Sequence, residues 1–521
     1  MKTTSPRRSS ACYRSAPGSE GLIRRIAAAA LAFSLALSGV RPALAHGFGP
    51  TYDIPIPLWL YLYGAAAAVV LSFLPLALFS RKVRDSAYRY PRFDLFRVRL
   101  LRTILTSRLL TGGLRLLSVA LFLVVVIAGL VGLQSGFNFA PTFVWVTWWV
   151  GLSIFTAFVG NLWPLVNPWR AVFDWAEWLV RRLGYRDGLE LDEPYPEALG
   201  IWPAVGLYLV FVWIENVFSG SYVPRNIALF ALVYSLITLY GMAFFGKETW
   251  LRRGDVFSVY FGLLGRFSPT EVRVKDADVC LGCDGCGDDP GCVNCYECFA
   301  RAAPDERELN LRPPAVGLGL PAKVTPGGAA FVIVVLAGVT FDGLLETPLW
   351  LEIVRLTPVT QTLGTILLPL LFFGIYLDFV ELSRILGRGE EGSFWRFAAA
   401  YAFSLVPIAI AYQVAHYYTY LLVQGQMIVS LVSDPLGWGW NLFGTADFEP
   451  RYGIVGAGFV WYSQVALVVA GHVVAVYLAH SISLRLLRDP GRALRSQLPM
   501  LALMVLYTMT SLWILAQPIV E

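Results

Sequence analysis

The chain has 521 residues, 56% of them hydrophobic and only 15% charged, and its mean hydropathy is +0.60. Soluble domains carry roughly 25% charged residues, so a water-soluble globule of this size is excluded; its apolar surface could not be covered, and lipid must be the solvent. The net charge of +5 is modest for this length and gives no ground to expect a nucleic-acid partner.

In chain order, the first element reads as a cleavable export signal over residues 1–45. Lys2, Arg7, Arg8 and Arg14 are followed by Arg24 and Arg25, then by the apolar run Ile26 to Val40, then by Pro42-Ala43-Leu44-Ala45. A basic segment, a short apolar segment and an A-x-A site make a signal peptide, and the run is too short to anchor comfortably. Cleavage would leave His46 at the mature N-terminus, outside the cell.

About ten membrane-spanning helices are expected after it, giving an all-α polytopic bundle. The spans fall at Leu58–Phe79, Leu114–Leu133, Phe143–Trp163, Ile201–Val217, Asn226–Phe245, Gly328–Leu345, Val359–Phe379, Arg396–Val423, Ile454–His480 and Leu498–Leu515. Abundant aromatic residues, 17 Trp and 24 Tyr, suit the belts at headgroup depth. Basic residues alternate between loops. Arg81, Lys82, Arg84, Arg89, Arg92, Arg97, Arg99 and Arg102 fill one loop, and Ser135 to Pro141 has no charge. Arg170, Arg181, Arg182 and Arg186, then Lys247, Arg252, Arg253 and Arg266, then Arg384 and Arg388, then Arg485, Arg488, Arg492 and Arg495 fall on the same side as the first group. Positive charge marks the cytoplasm, so a bacterial inner membrane with both mature termini outside is the expected setting. The organisation is then residues 46–245 as the first five helices, 246–327 as a cytoplasmic cysteine-rich loop, and 328–521 as the last five helices, with an external Gly/Trp loop at 424–453.

Apart from Cys12, every cysteine lies in one stretch, Cys280, Cys283, Cys286, Cys292, Cys295 and Cys298, spaced C-x2-C-x2-C-x5-C-x2-C-x2-C. Thiolates two residues apart grip one metal ion, and a reducing cytoplasm disfavours disulfides. Structural zinc is the first expectation, as one ion with spare thiols or two ions with bridging sulfurs. An iron–sulfur cluster is the second, although the C-x3-C-P completion of a ferredoxin set is absent.

Ionisable residues inside spans face a bundle interior or a watery cavity. Glu215, Asp342, Glu346 and His416 fall toward the outer ends of their spans, and His472 near mid-depth. His416, Asp342 and Glu215 are the catalytic candidates, with His416 activating water and Asp342 orienting it. His46 and His472 are candidate ligands for a second, outer metal that would acidify a bound water. None of the sharply diagnostic hydrolase motifs, H-E-x-x-H or G-x-S-x-G, is present.

Several strings resemble the bacterial integral membrane proteins labelled fenitrothion hydrolase. They are His46-Gly47-Phe48-Gly49-Pro50 with Tyr52-Asp53-Ile54-Pro55-Ile56-Pro57-Leu58-Trp59, the segment Asn161 to Arg170, Asp255 to Phe261, Ser433 to Thr445, and Ser511 to Pro518. The resemblance implies hydrolysis of an organophosphate triester with release of a nitrophenol, from an apolar small-molecule substrate in the bilayer, and brings no residue roles with it. Two other functions fit the residues: a metal-binding redox protein carrying iron–sulfur, heme or copper, and a transporter or assembly factor whose charges line a path.

Overall fold

The computed structural model describes residues 54–79, 90–185, 188–281, 283, 286, 292–320, 325–354, 357–389, 394–487 and 489–517. The expected signal segment 1–45 and His46 lie outside the described residues. In chain order the helices are α1 (Leu58–Phe79), α2 (Arg108–Val131), α3 (Phe139–Phe158), α4 (Pro168–Arg182), α5 (Trp202–Asn216), α6 (Pro224–Phe245), α7 (Lys247–Arg253) and α8 (Val256–Phe267). There follow α9 (Pro326–Leu345), α10 (Pro358–Leu386), α11 (Phe394–Ala402), α12 (Val406–Gln424), α13 (Ala457–Leu487) and α14 (Pro490–Ala516). Among the described residues nine helices are long and apolar enough to cross a membrane, with α11 and α12 counted as one continuous rod. The chain is an all-α polytopic membrane protein.

Local sequence explains the starts. Asn167, Thr325, Thr357 and Asp489 each accept a backbone N–H with the side chain, and Pro168, Pro326, Pro358 and Pro490 follow at the first helical position. That pairing satisfies an otherwise orphaned donor and presets the helical φ. Composition then sorts the helices. Over its most apolar window α9 is 78% buried, and the α11–α12 rod 89%, against 22% for α1. So α9 and α12 form the centre, and α1 faces outward.

Two departures from the sequence reading have physical causes. The expected span Ile201–Val217 forms only the 15-residue α5, about 22 Å long and short of a bilayer core. The segment read as one long loop, 246–327, begins with α7 and α8. Val256, Phe257, Tyr260, Phe261, Leu263 and Leu264 of α8 are all buried; twelve residues are too few to span, so span length as a criterion missed this interior helix.

Two strands after α8 and one before α2 make a small antiparallel sheet of order β1-β3-β2, formed by Phe93–Asp94, Arg307–Leu311 and Thr270–Val274 respectively. Its register pairs Thr270 with Leu311 and Val274 with Arg307. The buried Glu271 ties the strand ends together, accepting from Arg312 Nη1 (2.7 Å), Arg92 Nε (2.6 Å) and Tyr90 Oη (2.6 Å), and Arg312 in turn donates to the Gly265 and Arg266 carbonyls of α8. At the other end of the bundle the 424–453 loop folds around Ser433, whose Oγ accepts from the backbone N–H groups of Phe443 and Thr445. Leu133 N donates to Leu436 O and Phe139 N to Pro435 O, which docks this loop on the turn before α3. Trp438 and Trp440 remain exposed and pack edge to face, as interfacial anchors would.

Helices α12 and α13 cross where Gly471 meets Ala411. A Cβ added there would stand 2.4 Å from Ala411 Cβ and 2.8 Å from Pro407 O. Gly471→Ala is therefore expected to cost about 1–3 kcal/mol through overpacking, read as a lower unfolding temperature in detergent. An unchanged temperature would mean that the helices do not approach this closely.

Candidate functional site

The C-terminal ends of α5, α9 and α12 point to the same end of the bundle and bring titratable residues together there. Asp342 lies about 24 Å along α9 from Pro326. Its Oδ2 meets His416 Nε2 at 2.8 Å and accepts from Tyr417 Oη at 2.5 Å. The two side chains are 23% and 13% exposed, so the pair is largely but not fully enclosed within the bundle. No second hydrogen bond reaches the His416 ring among the described residues, which leaves Nδ1 as the open nitrogen. Glu346, one turn beyond Asp342, is exposed and feels the charges of both Asp342 and His416. Close packing underlies the pair: a Cβ on Gly343 would fall 2.4 Å from Tyr412 Oη.

Glu215 enters from α5. Its Oε1 accepts from Trp149 Nε1 at 3.0 Å, and it lies within electrostatic reach of Asp342 without sharing its hydrogen bonds. Trp149 is aimed there by an unusual backbone, since Thr142–Gly151 of α3 winds as a π-helix. Such widened turns are rare and favour functional sites. On the other side of Trp149, Phe211 packs at 4.6 Å and forms part of the wall of an apolar cavity of about 670 Å³. Trp145, Trp148, Trp163 and Trp169 line it too. Neither Asp342, His416 nor Glu215 is in that lining; this cavity and the titratable cluster are neighbours, not one site.

Deeper in the bundle, polar atoms are short of partners. Tyr412 Oη and His472 Nε2 are buried with no hydrogen-bond partner among the described residues. His472 Nδ1 bonds the Val468 carbonyl oxygen of its own helix at 2.8 Å. Tyr507, whose ring centroid is 5.9 Å from that of His472, shares a 2.5 Å hydrogen bond with Thr340. Of the two expected outer metal ligands, His46 lies outside the described residues, and His472 keeps Nε2 free of a protein partner. Among the described residues, the groups of three or more potential ligands are all cysteine sets.

The six cysteines do converge. Cys283 N donates to Cys280 O and Cys286 N to Cys283 O, two successive tight turns that fold the first triplet back on itself. The second triplet runs into the short helix Tyr296–Arg301 and is pinned by Asn294, whose N–H donates to Val272 O. Sγ separations are 3.6 Å for Cys283–Cys295, 2.9 Å for Cys286–Cys292 and 3.4 Å for Cys286–Cys298. Four thiols packed this tightly can hold a metal. The thiols of Cys286 and Cys298 are pushed up chiefly by burial, and that of Cys292 by its bond with Cys295, which the same bond holds low. Arg252 Nη1 lies 4.0 Å from Cys283 Sγ and donates to Glu297 Oε2 at 2.6 Å. A second cavity of about 350 Å³ is lined in part by Cys295, Tyr296 and Arg170.

Sequence reasoning selected Asp342, His416, Glu215 and the cysteines, and passed over Tyr417, Trp149 and Arg252. Tyr417 adjoins His416 in sequence, but nothing in a run of aromatic residues marks the one that turns inward. No protein-family model, curated protein or solved structure matches the chain.

Proposed function

We propose that this chain is an integral membrane hydrolase of apolar organophosphate triesters, the activity implied by its resemblance to the fenitrothion hydrolases. The observation that supports it is the Asp342–His416 hydrogen bond at a partly exposed place in the bundle. A carboxylate fixed on one ring nitrogen orients the imidazole and sets its tautomer, so the other nitrogen serves as base. In this reading Nε2–H donates to Asp342 Oδ2, and Nδ1 takes a proton from water. The water oxygen bonds to phosphorus, and the bond from phosphorus to the nitrophenyl oxygen breaks, its electron pair leaving with nitrophenolate. Glu215, held by Trp149, and Glu346 flank the pair. Triesters partition into lipid, and the aromatic cavity behind Phe211 gives them a place to collect. The arginine pattern puts this end outside and the cysteine module in the cytoplasm.

The test is nitrophenolate release by purified full-length protein in lipid nanodiscs. Turnover above the spontaneous rate is expected; none with any nitrophenyl triester would overturn the reading. Tyr412 Oη and His472 Nε2, polar atoms without partners that continue inward from His416, favour a second reading, a transporter moving protons or cations. Flux in proteoliposomes without hydrolysis would select it.

A further inference from the structure

The cysteines form two four-sulfur sets, Cys280, Cys286, Cys292 and Cys298, and Cys283, Cys286, Cys295 and Cys298. Within each set all sulfurs lie within 4.8 Å of one another. The sets share two members, Cys286 and Cys298, whose sulfurs are 3.4 Å apart. We infer that the module binds two soft tetrahedral cations of the zinc class, joined by the bridging thiolates of Cys286 and Cys298, with Cys280 and Cys292 completing one ion and Cys283 and Cys295 the other.

The sequence carries the same symmetry. Each half of the motif is C-x2-C-x2-C, and each half gives its first cysteine to one ion, its second to the other and its third to both. Sulfurs bound at about 2.3 Å on one tetrahedral ion stand about 3.8 Å apart. The separations here, 2.9 to 3.6 Å, are of that order. An iron–sulfur cube places each thiolate on a different iron and spreads the sulfurs outward around the inorganic core, which this packing has no room for. A single ion would leave either Cys283 with Cys295 or Cys280 with Cys292 without one, although both pairs converge on the same two sulfurs.

Two further observations point to bound cations. The module's core is Val274, Ala302 and the buried Cys283, Cys292 and Cys298, flanked by Val279 and Phe299; so little hydrocarbon does not fold a domain unaided, and metal supplies what is missing. Cys292 (φ 41°) is held in the left-handed region, a strain that persists only where the surroundings over-determine it. Six thiolates and two divalent cations leave a net charge of −2, and Arg252 and Arg301, both paired with Glu297 beside Cys283 Sγ, leave one positive charge to offset part of it. Thiolate ligands select zinc-like ions over magnesium or calcium.

The inference is independent of the hydrolase reading. Its test is elemental analysis of the full-length protein purified with zinc present in the growth medium. Two zinc ions per chain are expected in the wild type, about one in Cys280→Ser, and loss of both in Cys286→Ser. Should Cys286→Ser fail to accumulate, cobalt substitution of the wild type decides. Two bridged cobalt ions couple through the thiolates, so the paramagnetic signal per cobalt falls well below that of singly loaded Cys280→Ser. One zinc per chain, iron with acid-labile sulfide, or an uncoupled cobalt signal would each overturn it.

Discussion

His416→Ala is expected to lower nitrophenolate release about 10²- to 10⁴-fold, the range over which a positioned general base contributes. The loss should fall on kcat, because the imidazole acts on water and phosphorus and not on the apolar groups that bind the substrate. The fold should survive, since Asp342 keeps the Tyr417 hydroxyl at 2.5 Å as donor after the imidazole is gone. Asp342→Asn should lose a comparable factor by a different route: an amide offers Nε2 either an N–H or a weaker acceptor and no longer fixes the ring. Tyr417→Phe removes only one donor to Asp342 and should cost far less. A normal rate in His416→Ala, in protein whose unfolding temperature is unchanged, would remove this residue from the chemistry and the hydrolase mechanism with it.

The parts of this molecule that a sequence reveals are those written in local pattern. Nine spans could be read because twenty apolar residues in a row have few other meanings, and the cysteine module because paired thiols at fixed spacing seldom occur otherwise. Asp342 and His416 stood out for a similar reason: an ionisable group in lipid needs a partner. What could not be read were features decided by tertiary packing. Val256 to Phe267 is no more apolar than a span, only shorter, and its burial depends on helices far away in the chain. The π-helical turns that aim Trp149 at Glu215 leave no mark in Thr142–Gly151, whose Trp and Val residues suit an ordinary helix equally well. His472 could be picked out as an ionisable group in a span, but not that Nδ1 bonds the Val468 carbonyl one turn back while Nε2 stays open.

Glu271→Ala is expected to destabilise the cysteine-bearing end by about 3–5 kcal/mol, the usual result of removing one member of a buried ion pair. Both Glu271 and Arg312 have side chains with no exposure. Without the carboxylate, Arg312 keeps only neutral acceptors, the carbonyl oxygens of Ser268, Gly265 and Arg266, while Tyr90 and Arg92 lose their acceptor as well. The penalty comes from the stranded guanidinium, so Glu271→Ala combined with Arg312→Met should recover part of it; Glu271→Ala alone should not be rescued by salt. An exposed pair gives the contrast. Arg181 and Glu177 are 2.7 Å apart with Arg181 57% exposed, and Arg181→Ala should cost no more than about 0.5 kcal/mol. Because Glu271 sits on β2, four residues before the turn into the cysteines, its loss should also loosen the module, seen as faster release of bound metal to a chelator. Equal unfolding temperatures and equal release rates for Glu271→Ala and Arg181→Ala would show that the strand is not held by this charge, and that the sheet alone fixes the module to the bundle.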